Sequence, residues 1–127
     1  MDYQSLNLDK ITEQELGYII GLFMGDGYSH YSKNDRHYRV EFYLNSEKVL
    51  DIKDYLVILL KKLNLNFWVR KDKRCKCIRI YMNSKLFMHF IYHHINILDP
   101  IKLNLTYKLG LLSGFIDSDG WVGNGEI

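Results

Sequence analysis

Two aspartates are placed where they could do chemistry. Asp26 closes the run Leu16-Gly17-Tyr18-Ile19-Ile20-Gly21-Leu22-Phe23-Met24-Gly25-Asp26-Gly27, and Asp119 closes Leu109-Gly110-Leu111-Leu112-Ser113-Gly114-Phe115-Ile116-Asp117-Ser118-Asp119-Gly120, at a constant offset of 93 residues. Each run is apolar and has a small residue at every fourth position: Gly17, Gly21 and Gly25 in the first, Gly110, Gly114 and Ser118 in the second. On a helix that spacing draws a flat stripe along one face, and two such faces can meet almost backbone to backbone. The pairing brings both aspartates to one place. A carboxylate at a helix C-terminus sits at the negative end of the dipole, unfavourable by roughly 0.3 to 1 kcal/mol, and so invites a cation. With the carbonyls of the last turns, at Gly25 and Ser118, Asp26 and Asp119 make the all-oxygen environment that Mg²⁺ or a similar divalent cation prefers. Ions held there can activate water and stabilise the leaving oxygen of a phosphodiester.

The stripes require helices, and the residues between them specify what those helices pack on. Thr12 followed by Glu15 is a capping box opening a helix that runs to Asp26, with Gly27 at the position of a left-handed C-cap. Residues 28–33 and 38–45 alternate as strands around the turn Lys33-Asn34-Asp35-Arg36, with Val40, Phe42 and Leu44 toward a core. From Ser46, an N-cap, to Leu63 the apolar positions recur at helical spacing. Residues 67–71 and 75–82 form a second strand pair around Lys71-Asp72-Lys73-Arg74, and a third helix from Asn83 or Ser84 to Ile95 is stopped by Pro100. A fourth helix starts near Thr106 and carries the second stripe to Asp119. The order predicts an α+β fold: an αββαββα unit with a four-stranded antiparallel sheet, helices on one face, followed by a second stripe helix.

The other face of that sheet is rich in Arg, Tyr, Trp, Glu and His, a composition suited to the major groove of DNA, which admits a β-ribbon. Net charge decides little, since 17 basic residues against 15 acidic ones leave +2. The local distribution says more: Lys61, Lys62, Arg70, Lys71, Lys73, Arg74, Lys76 and Arg79 are interrupted only by Asp72 between residues 61 and 79. A solvated loop or a phosphate-binding surface can both look like this.

With 127 residues, 47% of them hydrophobic, the chain suits a single domain with a real core. No apolar stretch reaches membrane-spanning length and the first ten residues lack the regions of a signal peptide, so an intracellular site, cytoplasmic or organellar rather than secreted, is expected. Cys75 and Cys77 stand two apart, a poor spacing for a disulfide and consistent with a reducing compartment. Together with His89 and His93 they could also be read as a zinc set, though the cysteine spacing is tighter than ordinary zinc sites use.

The runs Ile19 to Gly27 and Leu112 to Gly120 resemble the two copies of the nine-residue signature of LAGLIDADG homing endonucleases. The second copy departs only conservatively, while the first has Met24 where the signature has its earlier acid. The resemblance covers essentially the whole chain. It implies that residues 1–105 correspond to the N-terminal half of a two-motif member and residues 106–127 to the second motif helix and the truncated start of a second half. It further implies a site-specific DNA endonuclease, of intron, intein or free-standing origin, that hydrolyses phosphodiesters at a long site with divalent metal. Asp26 and Asp119 would then serve one DNA strand each, and Lys102 would be the basic residue that polarises the attacking water or stabilises the transition state. The double-stranded DNA would be met by His30, Ser32, Asn34, Arg39, Glu41, Tyr43, Trp68, Arg70, Arg79 and Tyr81, with Arg39, Arg70 and Arg79 on guanine or phosphate. Lys61, Lys62, Lys71, Lys73 and Arg74 would touch phosphate. A non-cleaving DNA- or RNA-binding relative, such as an intron maturase or a degenerate remnant, is the alternative on the same fold, and a helix-pairing module without nucleic acid is a third.

The resemblance to a two-motif member implies a second sheet after Gly120, and the seven residues that follow in this sequence are too few to form one. Three arrangements stay open. A second polypeptide supplies the other half; a homodimer pairs the first or the exchanged fourth helices; or the fourth helix folds back on the first within one chain.

Overall fold

The capping box forms as expected. The Thr12 N–H donates to Glu15 Oε1 at 3.0 Å and the Glu15 N–H to Thr12 Oγ1 at 3.1 Å, opening helix α1 (Glu13–Asp26). The computed structural model describes residues 6–34, 36–45, 49–71, 77–96 and 104–119, Asp119 in its backbone alone. After α1 come β1 (Gly27–Ser32), β2 (His37–Leu44), α2 (Val49–Lys62), β3 (Trp68–Lys71), β4 (Ile78–Asn83), α3 (Lys85–Asn96) and α4 (Leu105–Asp119). The strands make one antiparallel sheet in the order β1-β2-β4-β3, the α+β arrangement read from the sequence. Asp35, Ser46, Asp72, Cys75 and Pro100, which figured in the expected turns and helix ends, lie outside the described residues.

Each helix boundary has a local cause. Ser84 Oγ accepts the Phe87 N–H at 3.1 Å ahead of α3, and Asn104 Oδ1 accepts the Tyr107 N–H at 2.8 Å ahead of α4. Helix α2 ends on Asn64 in the left-handed region (φ 64°), with the Leu65 N–H on the Leu60 carbonyl and the Asn64 N–H on that of Lys61, a Schellman motif. Gly27 departs from expectation: at φ −88° and ψ 153° it is extended, because β1 begins at once without a left-handed cap. Its lack of a side chain serves another purpose, since a Cβ there would overlap the ring of Phe23. Cys77 also departs from the free thiol expected: it is buried and disulfide-bonded.

The period-two pattern sets the core. Val40, Phe42, Leu44, Ile78, Ile80 and Met82 point from the central strands onto Ile52, Leu56 and Leu59 of α2 and Phe87 and Ile91 of α3. Helix α1 completes this layer, and Phe23 meets Phe42 edge to face at 5.8 Å. From Gly17 to Phe23 every residue of α1 is buried, because the sheet covers one side of the helix and α4 the other.

At the N-terminal end of α1, Glu15 also accepts from Lys62 Nζ at 2.7 Å, tying α1 to the end of α2. Burial raises the Glu15 pKa, but the bonds from Lys62 and Thr12 outweigh it and hold the carboxyl below its ordinary 4.5. A depressed carboxylate contributes stability above its unfolded pKa and loses it as pH falls through the folded one. Glu15→Gln is therefore expected to lower stability by about 1 kcal/mol at neutral pH. The gap should narrow as pH falls below the ordinary 4.5 and close as the depressed wild-type carboxyl protonates, which thermal melts at neutral and acid pH will check.

Candidate functional site

Helix α4 lies on α1 of the same chain, the third of the three arrangements, and the glycines report how closely. A methyl group on Gly17 would meet the Tyr107 carbonyl and stand 2.9 Å from the Leu111 nitrogen. One on Gly21 would meet the Leu111 carbonyl and stand 2.9 Å from the Phe115 nitrogen. From the other side, a methyl on Gly110 would meet the Gln14 carbonyl, and one on Gly114 the Tyr18 carbonyl, 2.8 Å from the Leu22 nitrogen. Adding the 93-residue offset converts Gln14, Tyr18 and Leu22 into Tyr107, Leu111 and Phe115, so the two contact sets interchange. The helices run parallel about an approximate two-fold axis along their seam.

The parallel packing ends both helices together. A methyl on Gly25 would overlap the Ser118 hydroxyl and stand 2.5 Å from the Ser118 Cβ, so the residues just before the two aspartates touch. Ser118 is buried and its hydroxyl donates to the Phe115 carbonyl at 2.7 Å. Asp26 is half-buried and leads directly into β1. Asp26 and Asp119, the last residues of α1 and α4, thus stand at the same end of the seam, where two negative dipole ends coincide.

Among the described residues, side-chain hydrogen bonds join the two helices at two points of the seam: Asn104 Nδ2 donates to Glu13 Oε2 where they begin, and Tyr18 Oη donates to Asp117 Oδ2 at 2.7 Å further along. Burial and this neighbouring carboxylate raise the Tyr18 pKa strongly, so the phenol keeps its proton. Asp117 is the earlier acid of the second signature. Its counterpart is Met24, and the counterpart of Tyr18 is Leu111, so donor and acceptor are both absent from the symmetry-related position. The loss of the acid at Met24 leaves no hydroxyl stranded. Sequence reading missed Asp117, although the paired change across the offset was its signal.

Strand register places the expected DNA-facing residues together. Tyr28, His30 and Ser32 pair with Glu41, Arg39 and His37; Arg39, Glu41 and Tyr43 pair with Asn83, Tyr81 and Arg79; Trp68 and Arg70 pair with Tyr81 and Arg79. Cross-strand partners share a face, so all lie on the side of the sheet away from the core. Asn34 is exposed in the β1–β2 turn. Tyr28, His37 and Asn83 join the set, as the unbroken alternation of these strands would have indicated. Lys71 pairs with Ile78 and falls on the opposite parity, at the exposed end of β3. Lys62 is engaged by Glu15 at the end of α1 remote from Asp26. Lys73, Arg74 and Lys102 lie outside the described residues.

Residues 13–96 of the 127 match the family model of the LAGLIDADG-like domain. The chain belongs to the LAGLIDADG homing endonuclease family. Solved structures of the homing endonuclease I-DmoI have the same fold. A variant bound to its target DNA nicked in the coding strand, with Mn, superposes with a TM-score of 0.62 at 20% identity, covering 84% of this chain and 61% of that one. I-DmoI in complex with DNA and Ca gives 0.61 at 20% identity over 82% and 56%. A further variant with target DNA and Mg gives 0.62 at 20% over 84% and 61%. The chain therefore spans about three fifths of the length of these relatives. No curated protein sequence matches it. No described helix is long and apolar enough to cross a membrane.

Proposed function

We propose that the chain is the DNA-binding half, with the second motif helix, of a site-specific, divalent-metal-dependent DNA endonuclease. Residues 1–105 form the first half and residues 106–127 open the second. The observation that carries this reading is the symmetric seam, which ends both motif helices level at Asp26 and Asp119 beside the polar face of a four-stranded sheet. I-DmoI, which shares the fold, is seen with target DNA and with Mn, Ca or Mg.

The donor set suits a hard cation. Among the described residues no group of three His, Cys, Asp or Glu could hold a metal. The helix ends would offer the terminal carboxylates of Asp26 and Asp119 and the last-turn carbonyls at Gly25 and Ser118, in keeping with Mg²⁺, which takes one or two carboxylates and fills its shell with water and substrate phosphates. When bound, such an ion supplies an activated water and neutralises charge on the leaving oxygen. Asp26 and Asp119 would hold such ions, one aspartate acting for each strand, and Lys102 would be the basic residue at the attacking water. The carboxylates carry no positive charge to the phosphates, so DNA affinity falls to the sheet face.

Helix α4 presents a face that a second sheet unit could cover. Leu105, Leu109, Leu112 and Ile116 are 71%, 52%, 57% and 40% exposed along one face. The offset maps Leu112 and Ile116 onto Ile19 and Phe23, which in α1 are buried against the sheet. A second sheet unit is proposed to cover this stripe. The described residues form one sheet, and on this reading cleavage of both strands needs that second unit as well.

Fluorescence anisotropy with duplex DNA tests the reading. Affinity is expected to fall steeply between about 50 and 200 mM salt, with a log–log slope near −3 for roughly three to four phosphate contacts. No duplex binding at the lower salt would overturn it.

A further inference from the structure

The sheet face holds three arginines, and their surroundings divide them. Arg39 Nη2 and Arg79 Nε lie 3.3 and 3.4 Å from the same oxygen, Glu41 Oε1. Glu41 is the most sheltered of the three, with a side chain 13% exposed against 34% for Arg39 and 41% for Arg79. The Arg39 guanidinium sits 4.4 Å from the centre of the Tyr81 ring, that of Arg79 sits 5.3 Å from Tyr43, and Tyr81 stacks on Trp68 at 5.8 Å. Arg70 stands directly opposite Arg79 but makes no ion pair among the described residues.

A guanidinium held by a carboxylate at one edge and an aromatic face has lost much of its rotamer freedom before DNA arrives, and its remaining N–H groups point in fixed directions. With Nε on Glu41, Arg79 presents its two terminal nitrogens as a fork; with Nη2 engaged, Arg39 presents the opposite edge. The carboxylate also cancels part of the positive potential that draws phosphate, and it leaves the close-range hydrogen bonding intact. Arg70 has no such neighbour and faces a like charge, which an incoming phosphate would relieve.

Building on the proposed DNA binding, we infer that Glu41 is a specificity-determining residue: it braces Arg39 and Arg79 as a pair aimed at base edges in the major groove, and Arg70 is the phosphate anchor beside them. The base that fits each fork is guanine, through O6 and N7. Two nitrogens held by one oxygen at these distances are less than about 7 Å apart, the rise of two base-pair steps. The free edges lie beyond these engaged nitrogens on two adjacent side chains, so the preferred site carries two closely spaced guanines.

The test is selection from a randomised duplex library by the full chain and its variants, followed by anisotropy on selected and unselected duplexes. The wild type is expected to enrich the closely spaced guanines. Glu41→Gln should bind unselected duplex at least as tightly and lose at least about fivefold of the discrimination against guanine replacement. Arg70→Ala should weaken both duplexes alike and reduce the salt slope by about 0.9. Circular dichroism checks that Glu41→Gln folds; should it not, Arg79→Lys keeps the charge without the fork and should lose discrimination at an unchanged salt slope. Unaltered guanine preference in the folded variant, or binding by the wild type without any preference, overturns the inference and leaves DNA binding standing. Absence of duplex binding by the wild type overturns both.

Discussion

Replacing Asp26 by Asn is expected to reduce double-strand cleavage by the completed assembly about a thousandfold, the several kcal/mol that a correctly held Lewis acid supplies. Asparagine keeps the shape and one oxygen but removes the charge that attracts the ion, and Asp119→Asn should act in the same way on the other strand. DNA binding should survive or tighten slightly, since one negative charge near the phosphates is gone. The metal-free protein should become more stable by roughly 0.3 to 1 kcal/mol, because Asp26 ends a helix whose dipole disfavours an anion there and a parallel neighbour ends beside it. A supercoiled-plasmid assay and a melting curve in chelator measure the two effects, which have opposite signs. Undiminished cleavage by both Asn variants would remove the aspartates from the mechanism.

Much of this arrangement was legible in the sequence because its causes are local. The capping box at Thr12 and Glu15, the alternation through Val40, Phe42 and Leu44, and the helical spacing from Val49 to Leu63 each act within a few residues, and each formed as read. Pairing between distant elements was less legible. A stripe of glycines fits a partner in the same chain or in another equally well, so the fold-back of α4 had to be seen. Glu41 was identifiable as a residue of the polar face, but its grip on Arg79 depends on β2 lying beside β4, a neighbour relation that alternation does not encode. The Tyr18–Asp117 bond joins residues 99 apart, and only comparison of the two copies hints at it. The extended Gly27 went against the expected left-handed cap because β1 begins there at once, and its missing side chain instead makes room for the Phe23 ring four residues back.

The seam itself yields the other large effect. In an ordinary helix interior Gly→Ala is favourable by about 0.8 to 1 kcal/mol, so propensity alone predicts that Gly21→Ala stabilises the protein. Here the new methyl would strike the Leu111 carbonyl, a backbone atom that cannot rotate aside, and the two helices would have to separate along their length. Overpacking of this kind typically costs 1 to 3 kcal/mol, and the rigid neighbour places Gly21→Ala near about 3, a drop in melting temperature on the order of 10 °C. The sign of the change decides the matter, since a more stable Gly21→Ala would mean that the helices are not in backbone contact. Gly25 offers a finer check, because its neighbour is the Ser118 side chain. Gly25→Ser alone puts two hydroxymethyl groups at one crossing and should destabilise. Adding Ser118→Gly leaves one, now on α1, where it can donate to the Leu22 carbonyl as Ser118 does to that of Phe115, and most of the stability should return. Recovery in the double variant would show that the two helices are interchangeable at the point where they deliver Asp26 and Asp119, the property that the proposed cutting of two strands requires.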